Sequence, residues 1–177
     1  MNTLILVGSG DTDSHSLHLG QAIAATLRDN HGEATVINLV EYGLPLYDRT
    51  VERSKTHNAK TADFLKQVVA ADALVYVTPV YHNSFSSLLK NSLDWMHHLS
   101  FDNKVVGLAS NGGNRSTVAV DQLMIIARSQ HLISSPVRVC TQEDDYDEAL
   151  NITSPGIIAR IADFAMELAS LTTKLRS

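Results

Sequence analysis

The chain has 177 residues, a formal net charge of −5, 44% apolar residues and 19% charged residues. It is long enough for one domain, residues 1–177, that buries its own core, and its composition is globular rather than disordered. The negative balance argues against nucleic acid as a partner. No apolar window approaches a membrane span, and the single cysteine, Cys140, rules out an internal disulfide, so a cytoplasmic protein with no membrane partner is expected.

Residues 3–7 (TLILV) form a continuous apolar run closed by Gly8, the pattern of a strand buried on both faces. Residues 16–30 read as a helix with Leu19, Ile23 and Leu27 on one face. A short strand is predicted at 34–39, followed by an irregular stretch over 40–56 containing Gly43 and Pro45. A helix from about His57 to Ala71 should turn Phe64, Leu65, Val68 and Val69 inward. Residues 73–78 (ALVYVT) are a second apolar strand, and 85–99 a helix with Phe85, Leu89, Leu93 and Met96 on one stripe. A strand at 104–109, a helix at 117–131 that is apolar on nearly every side, a last strand at 135–140 and a last helix at 155–175 complete the order.

Strict alternation of strands and helices predicts an α/β fold: a parallel sheet of five strands with helices on both faces, in the flavodoxin-like order 2-1-3-4-5. In such sheets ligands bind beyond the carboxyl ends of the strands, at the point where the strand order reverses. The loops after the first, third and fourth strands are the three to inspect.

The first, residues 8–16 (GSGDTDSHS), supplies glycines and hydroxyls at a helix start, where free amides and the helix dipole favour a phosphate. Asp11 and Asp13 share the ligand's sign and must point away. Neither GxGxxG nor GxxxxGK[ST] is present. The second loop, 78–86 (TPVYHNSFS), mixes the apolar faces of Tyr81 and Phe85 with the polar His82, Asn83 and Ser84, a combination suited to a flat heteroaromatic ring. The third, 110–116 (SNGGNRS), carries paired glycines that allow backbone to approach a ligand. An ordinary capped turn remains the plain alternative for each loop.

The segment 78–96 (TPVYHNSFSSLLKNSLDWM) resembles the NADPH-dependent FMN reductase family, whose members carry T-P-x-Y followed by L-K-N-x-[IL]-D-W. Valine at position 80 with Ser-Phe-Ser at 84–86 is similar to the alkanesulfonate-linked flavin reductases, whereas glutamate there is typical of quinone, azo and chromate reductases. Gly8, Ser9 and Ser14 match the family's first-loop pattern, and Asp11 stands where that pattern has arginine.

The resemblance implies an FMN-dependent oxidoreductase that passes hydride from NADPH or NADH to FMN and on to free flavin, a quinone, an azo compound or a similar acceptor. It implies that Ser9, Ser14 and Ser16 hold the FMN phosphate and that Pro79, Val80, Tyr81, His82, Asn83 and Ser84 line the isoalloxazine. Ser110, Asn111, Gly112 and Gly113 would close over the ring, and Arg115 is the candidate to replace the missing arginine. Family members of this kind form dimers or tetramers, and the apolar 117–131 helix is the natural covered face.

Because the flavin carries the chemistry, no catalytic side chain and no metal is expected. The acidic run 143–148 (EDDYDE) reads as a solvated loop, with covering of a site near the sheet edge as its alternative. Two other functions compete: a flavodoxin-type electron carrier, and a non-catalytic α/β binding module. The modest charge and the absence of an aromatic residue in the 110–116 loop disfavour the carrier. The Thr78-Pro79 strand end, where a receiver-like module needs aspartate, disfavours the module.

Overall fold

The computed structural model describes residues 1–54, 58–99 and 101–176. Strand β1 (Asn2–Val7) is followed by helix α1 (His15–Asn30), strand β2 (Glu33–Asn38) and the short helices α2 (Leu39–Tyr42) and α3 (Arg49–Ser54). Then come α4 (Ala59–Ala70), β3 (Ala73–Pro79), α5 (Ser87–Trp95), β4 (Val105–Asn111) and α6 (Val118–Ser129). Two short strands, β5 (Ile133–Ser134) and β6 (Val139–Thr141), precede the long helix α7 (Pro155–Arg176).

All strand pairs are parallel, in the order β2-β1-β3-β4-β5, with β6 also on β4. This is the doubly wound order expected from the alternation. The continuous apolar runs explain it, because alternate residues of one strand feed opposite faces. Leu4 and Leu6 of β1 join Leu74, Tyr76, Val106 and Leu108 under Phe64 and Val68 of α4, Leu89 and Leu93 of α5 and Leu123 of α6. Ile5 and Val7 join Val75, Val77, Val105 and Ala109 under Leu19, Ile23 and Leu27 of α1 and Ile161, Phe164 and Leu168 of α7. Three layers result. Among the described residues no helix is long and apolar enough to cross a membrane.

Several expected boundaries are corrected. The strand predicted over 135–140 is split: Ser135 still donates its amide to the Val106 carbonyl at 2.8 Å, but Pro136 has no N–H, and pairing resumes only at Val139. Helix α5 begins after Ser86, whose hydroxyl caps it by accepting from the Leu89 amide, and it tightens into i→i+3 bonds from Met96 onward. The stretch 40–56, expected to be irregular, contains most of α2 and all of α3. The predicted helix start at His57 lies outside the described residues, and α4 is capped by Asn58, whose side chain accepts from the Thr61 amide. Val69 points outward, because the helical period that buries Thr61, Phe64 and Val68 carries position 69 past the edge of that stripe.

The α7 face is closed by one tight approach. A Cβ built on Gly107, in the middle of β4, would lie 2.3 Å from Cζ of the fully buried Phe164. The ring meets the strand with its tip and, being fully buried, has no space to yield. Gly107→Ala is expected to lower stability by about 1–3 kcal/mol through overpacking, read as a fall in the urea midpoint; an unchanged midpoint would mean that Phe164 repacks freely.

Candidate functional site

The loops at the carboxyl ends of the strands lie side by side because the sheet ladder continues into them. Gly8 donates its amide to the Val77 carbonyl at 2.9 Å, Val80 to Asn111 at 2.8 Å, and Gly112 to Thr141 at 2.9 Å. Two glycines allow this closeness. A Cβ on Gly8 would meet Leu89 Cβ at 2.6 Å and Ser86 Oγ at 2.7 Å, and one on Gly112 would meet Val80 Cβ at 2.7 Å. The first loop is thereby packed on the start of α5, and the β4 loop on the β3 loop.

The β3 loop is a two-residue hairpin. Tyr81 and Ser84 exchange backbone hydrogen bonds at 2.9 Å each way, and His82 and Asn83 between them have φ of 49° and 60°. This is a type I′ turn, in which both central residues are left-handed. Gln122 of α6 clamps it, accepting from Ser84 Oγ at 2.6 Å and donating from Nε2 to the Asn83 carbonyl at 2.8 Å. The β4 loop is unusual in the same way, with Asn114 at φ 56° and Arg115 at φ 47°. Of the seven non-glycine residues with positive φ among the described residues, four lie in these two loops. Strain of this kind persists where surrounding contacts over-determine the backbone, and it concentrates at ligand sites.

Between the two loops lies a cleft of about 620 Å³ lined by Val80, His82, Asn83, Gly113, Asn114 and Ser116. Four of the sequence candidates, Val80, His82, Asn83 and Gly113, therefore come together on it. Asn114 and Ser116 line it too and were not singled out from sequence. The other candidates stand around the cleft. Pro79 and Asn111 are the last residues of β3 and β4 and pair with each other. Ser110 is buried and donates its hydroxyl to the Ser116 carbonyl at 3.1 Å, Gly112 supports the Val80 contact, and the Tyr81 ring is half exposed.

In the first loop Ser9 and Ser16 are buried, while Ser14 caps α1 by accepting from the Leu17 amide at 3.1 Å. The two loop acids are engaged by nearby donors, Asp11 within the loop and Asp13 on α1. Asp11 Oδ1 accepts from the Asp13 amide at 3.2 Å, and Asp13 Oδ1 lies 2.9 Å from His18 Nε2. The amides of Gly10, Thr12 and Ser14, and the first-turn amides of His15 and Ser16, have no partner among the described residues. A set of free amides and hydroxyls at a helix start fits a phosphate, and a cleft with Val80 beside the polar residues of two turns fits a flat ring.

The acidic run is corrected. Asp145 is fully buried and Tyr146 nearly so. Asp145 accepts from Arg115 Nε at 3.0 Å, from Arg115 Nη2 at 2.5 Å and from the Gln142 amide at 2.9 Å. Arg115, put forward as a replacement phosphate partner, is engaged by this carboxylate 30 residues on. The Tyr146 hydroxyl lies 2.8 Å from Thr141 Oγ1 and donates to the His15 carbonyl at 3.2 Å, and its ring meets the His15 ring edge-on. Neither Asp145 nor Tyr146 was singled out, because within a run of acids nothing local distinguishes the one that folds inward.

Residues 1–142 match the family model for NADPH-dependent FMN reductases. The chain belongs to that family. It is accordingly an FMN-dependent NAD(P)H oxidoreductase, with FMN and a reduced nicotinamide as cofactors. Relatives in the same family include an FMN-dependent NADPH-azoreductase of Staphylococcus haemolyticus, 34% identical over 151 residues (84% of this chain and 80% of that protein). Its counterpart in Staphylococcus aureus is 32% identical over 149 residues (82% and 79%). These are azoreductases, whereas Val80 pointed toward alkanesulfonate-linked flavin reductases. The solved structure of FerB, a flavoenzyme NAD(P)H:(acceptor) oxidoreductase from Paracoccus denitrificans, superposes with a TM-score of 0.80 at 16% identity, covering 98% of this chain and 97% of that one, which shows the shared fold.

Burial alone would raise the Asp145 carboxyl, but hydrogen bonds from Arg115 and the Gln142 amide outweigh it and hold the group below the ordinary carboxylate range. The unfolded chain, titrating near about 3.9, takes up this proton first. The stability contributed is therefore complete above that pH and is lost as the pH falls through the lower folded value. Acid-unfolding curves of Asp145→Asn are expected to be flatter below about pH 4 than those of the parent; superimposable curves would refute the assignment.

Proposed function

We propose that the carboxyl-end cleft holds FMN, with the phosphate on the loop before α1 and the ring between the β3 hairpin and the β4 loop. Ser9, Ser14 and Ser16, together with the free amides beside them, would take the phosphate. Pro79, Val80, Tyr81, His82, Asn83 and Ser84 would border the ring on one side, and Ser110, Asn111, Gly112 and Gly113 would close it on the other. When bound, FMN supplies the hydride-accepting chemistry. The protein's part is to bind and orient: Val80 offers an apolar face, and the left-handed turn fixes His82 and Asn83 on the cleft wall. Nicotinamide and acceptor would occupy the same open side in turn. The support is the cleft between two left-handed turns, with Val80 on its wall, together with the free amides of the first loop at the same end of the sheet.

The two staphylococcal relatives favour NADPH as donor and an azo compound as acceptor. The Cβ direction of Gly113 faces open space within the cleft. Gly113→Val is expected to keep the fold by far-ultraviolet circular dichroism, to weaken FMN binding at least tenfold, and to abolish NADPH-driven bleaching of an azo dye. If flavin binding survives the valine, the ring lies elsewhere.

A homodimer or homotetramer in the cytoplasm completes the proposal. Helix α6 buries Ala119, Val120, Leu123 and Ala127 but exposes Val118, Met124 and Ile125, the last 71% accessible, beside the exposed Ile133 of β5. Such a patch favours a covered face. Ile125→Glu is expected to shift the sedimentation coefficient toward that of a single chain; a parent that already sediments as one chain would exclude this interface.

A further inference from the structure

The Arg115–Asp145 pair spans from the ring cleft to a segment beyond residue 142, where the match to the family model ends. Arg115 has φ 47° and follows Asn114 at φ 56°. A left-handed arginine is disfavoured by its own Cβ, and nothing in its chemistry favours that conformation as Asn does. Its guanidinium makes a two-pronged contact with a carboxylate that is itself fully buried and held by the Gln142 amide. The Asp145 backbone is fixed as well, its carbonyl accepting from the amides of Thr153 at 2.9 Å and Ser154 at 3.4 Å. The anchor is therefore rigid, and the loop it holds is the strained one.

The neighbouring contacts extend the same tie. Asn111 Nδ2 donates to Thr141 Oγ1 at 3.0 Å, and that oxygen lies beside the Tyr146 hydroxyl, which reaches the His15 carbonyl at the start of α1. One short segment, 141–146, thus touches both the β4 loop and the first turn of α1.

We propose that Asp145 is a positioning residue for the flavin site: its carboxylate holds Arg115, and with it the loop 112–116, in the left-handed conformation that shapes the ring cleft. This rests on the placement of the FMN ring proposed above. In this role Arg115 acts through the backbone it carries and not as a direct partner of the phosphate.

Glycine separates the two roles, because it adopts φ near +47° without needing an ion pair. FMN affinity is measured by quenching of flavin fluorescence, and loop order by hydrogen exchange of the 112–117 amides in flavin-free protein. Asp145→Ala is expected to weaken FMN about tenfold and to speed exchange in that loop. Since the Arg115 side chain is 47% exposed, the substitution strands no buried cation. Adding Arg115→Gly to Asp145→Ala is expected to restore most of the affinity and protection.

The proposal is overturned if Asp145→Ala leaves both quantities unchanged, or if the double variant loses FMN as severely as Asp145→Ala alone, which would make the Arg115 side chain a direct ligand. Should the alanine variant not fold, Asp145→Asn, which keeps the buried volume, is expected to show the same two changes in smaller measure, and their absence overturns the proposal. Gly113→Val tests the ring placement separately. If it leaves FMN bound, that placement fails, and the exchange result alone decides whether Asp145 orders the loop.

Discussion

The site depends on a backbone constraint: the parallel ladder does not stop where the strands do. Three amides past the strand ends, those of Gly8, Val80 and Gly112, continue to find carbonyls on the neighbouring strand. Each such bond fixes the direction in which a loop leaves the sheet. Because the bonds are shared between neighbours, the loops are placed relative to one another and not merely relative to their own strands. The requirement for glycine at positions 8 and 112 follows, since a side chain there would separate the loop from α5 in one case and from Val80 in the other. Side chains contribute after this frame exists: Gln122 pins the hairpin from α6, and the Ser110 hydroxyl pins the β4 loop from within the sheet.

Local strain is the second feature. His82, Asn83, Asn114 and Arg115 are all left-handed and sit in pairs on the two sides of one cleft. A loop without such constraints would sample many conformations and would have to be ordered by the ligand, losing affinity to entropy. Here the ordering is done beforehand by groups outside the cleft. The residues that support it are consequently remote in sequence: Gln122 lies 39 residues from Asn83, and Asp145 lies 30 from Arg115.

This distance accounts for what the sequence reveals and what it hides. The strands were legible because a doubly buried strand needs a continuous apolar run, and residues 3–7, 73–78 and 104–109 have no other reasonable use. The sheet order followed from the alternation, and with it the strand ends as the place to look for a site. Val80, His82, Asn83 and Gly113, which line the cleft, were candidates because strand-end loops are where ligands bind in such sheets. The split of the last strand was less visible, since Pro136 interrupts a run that otherwise reads as continuous. Asp145 was hidden altogether: its neighbours Glu143, Asp144 and Glu148 stay exposed, and only a cation on another loop makes position 145 different. Residues whose role is set by a distant partner leave no local pattern.

The first loop poses a related question of charge. The family pattern places arginine where this chain has Asp11, so a phosphate here would meet amides, hydroxyls and the helix dipole without that cation. The structure lessens the penalty by using both acids internally: Asp11 closes a turn on the Asp13 amide, and Asp13 faces His18 on α1. Each contact gives a negative charge a donor of its own, Asp11 within the loop and Asp13 on α1. A site built from amides is directional and screened less by salt than one built on an exposed arginine, because its donors are fixed dipoles close to the ligand. Under the proposed placement, loss of the family cation changes the kind of phosphate site this loop would form, and the burden of holding the loop passes to backbone geometry, as it does at the β4 loop.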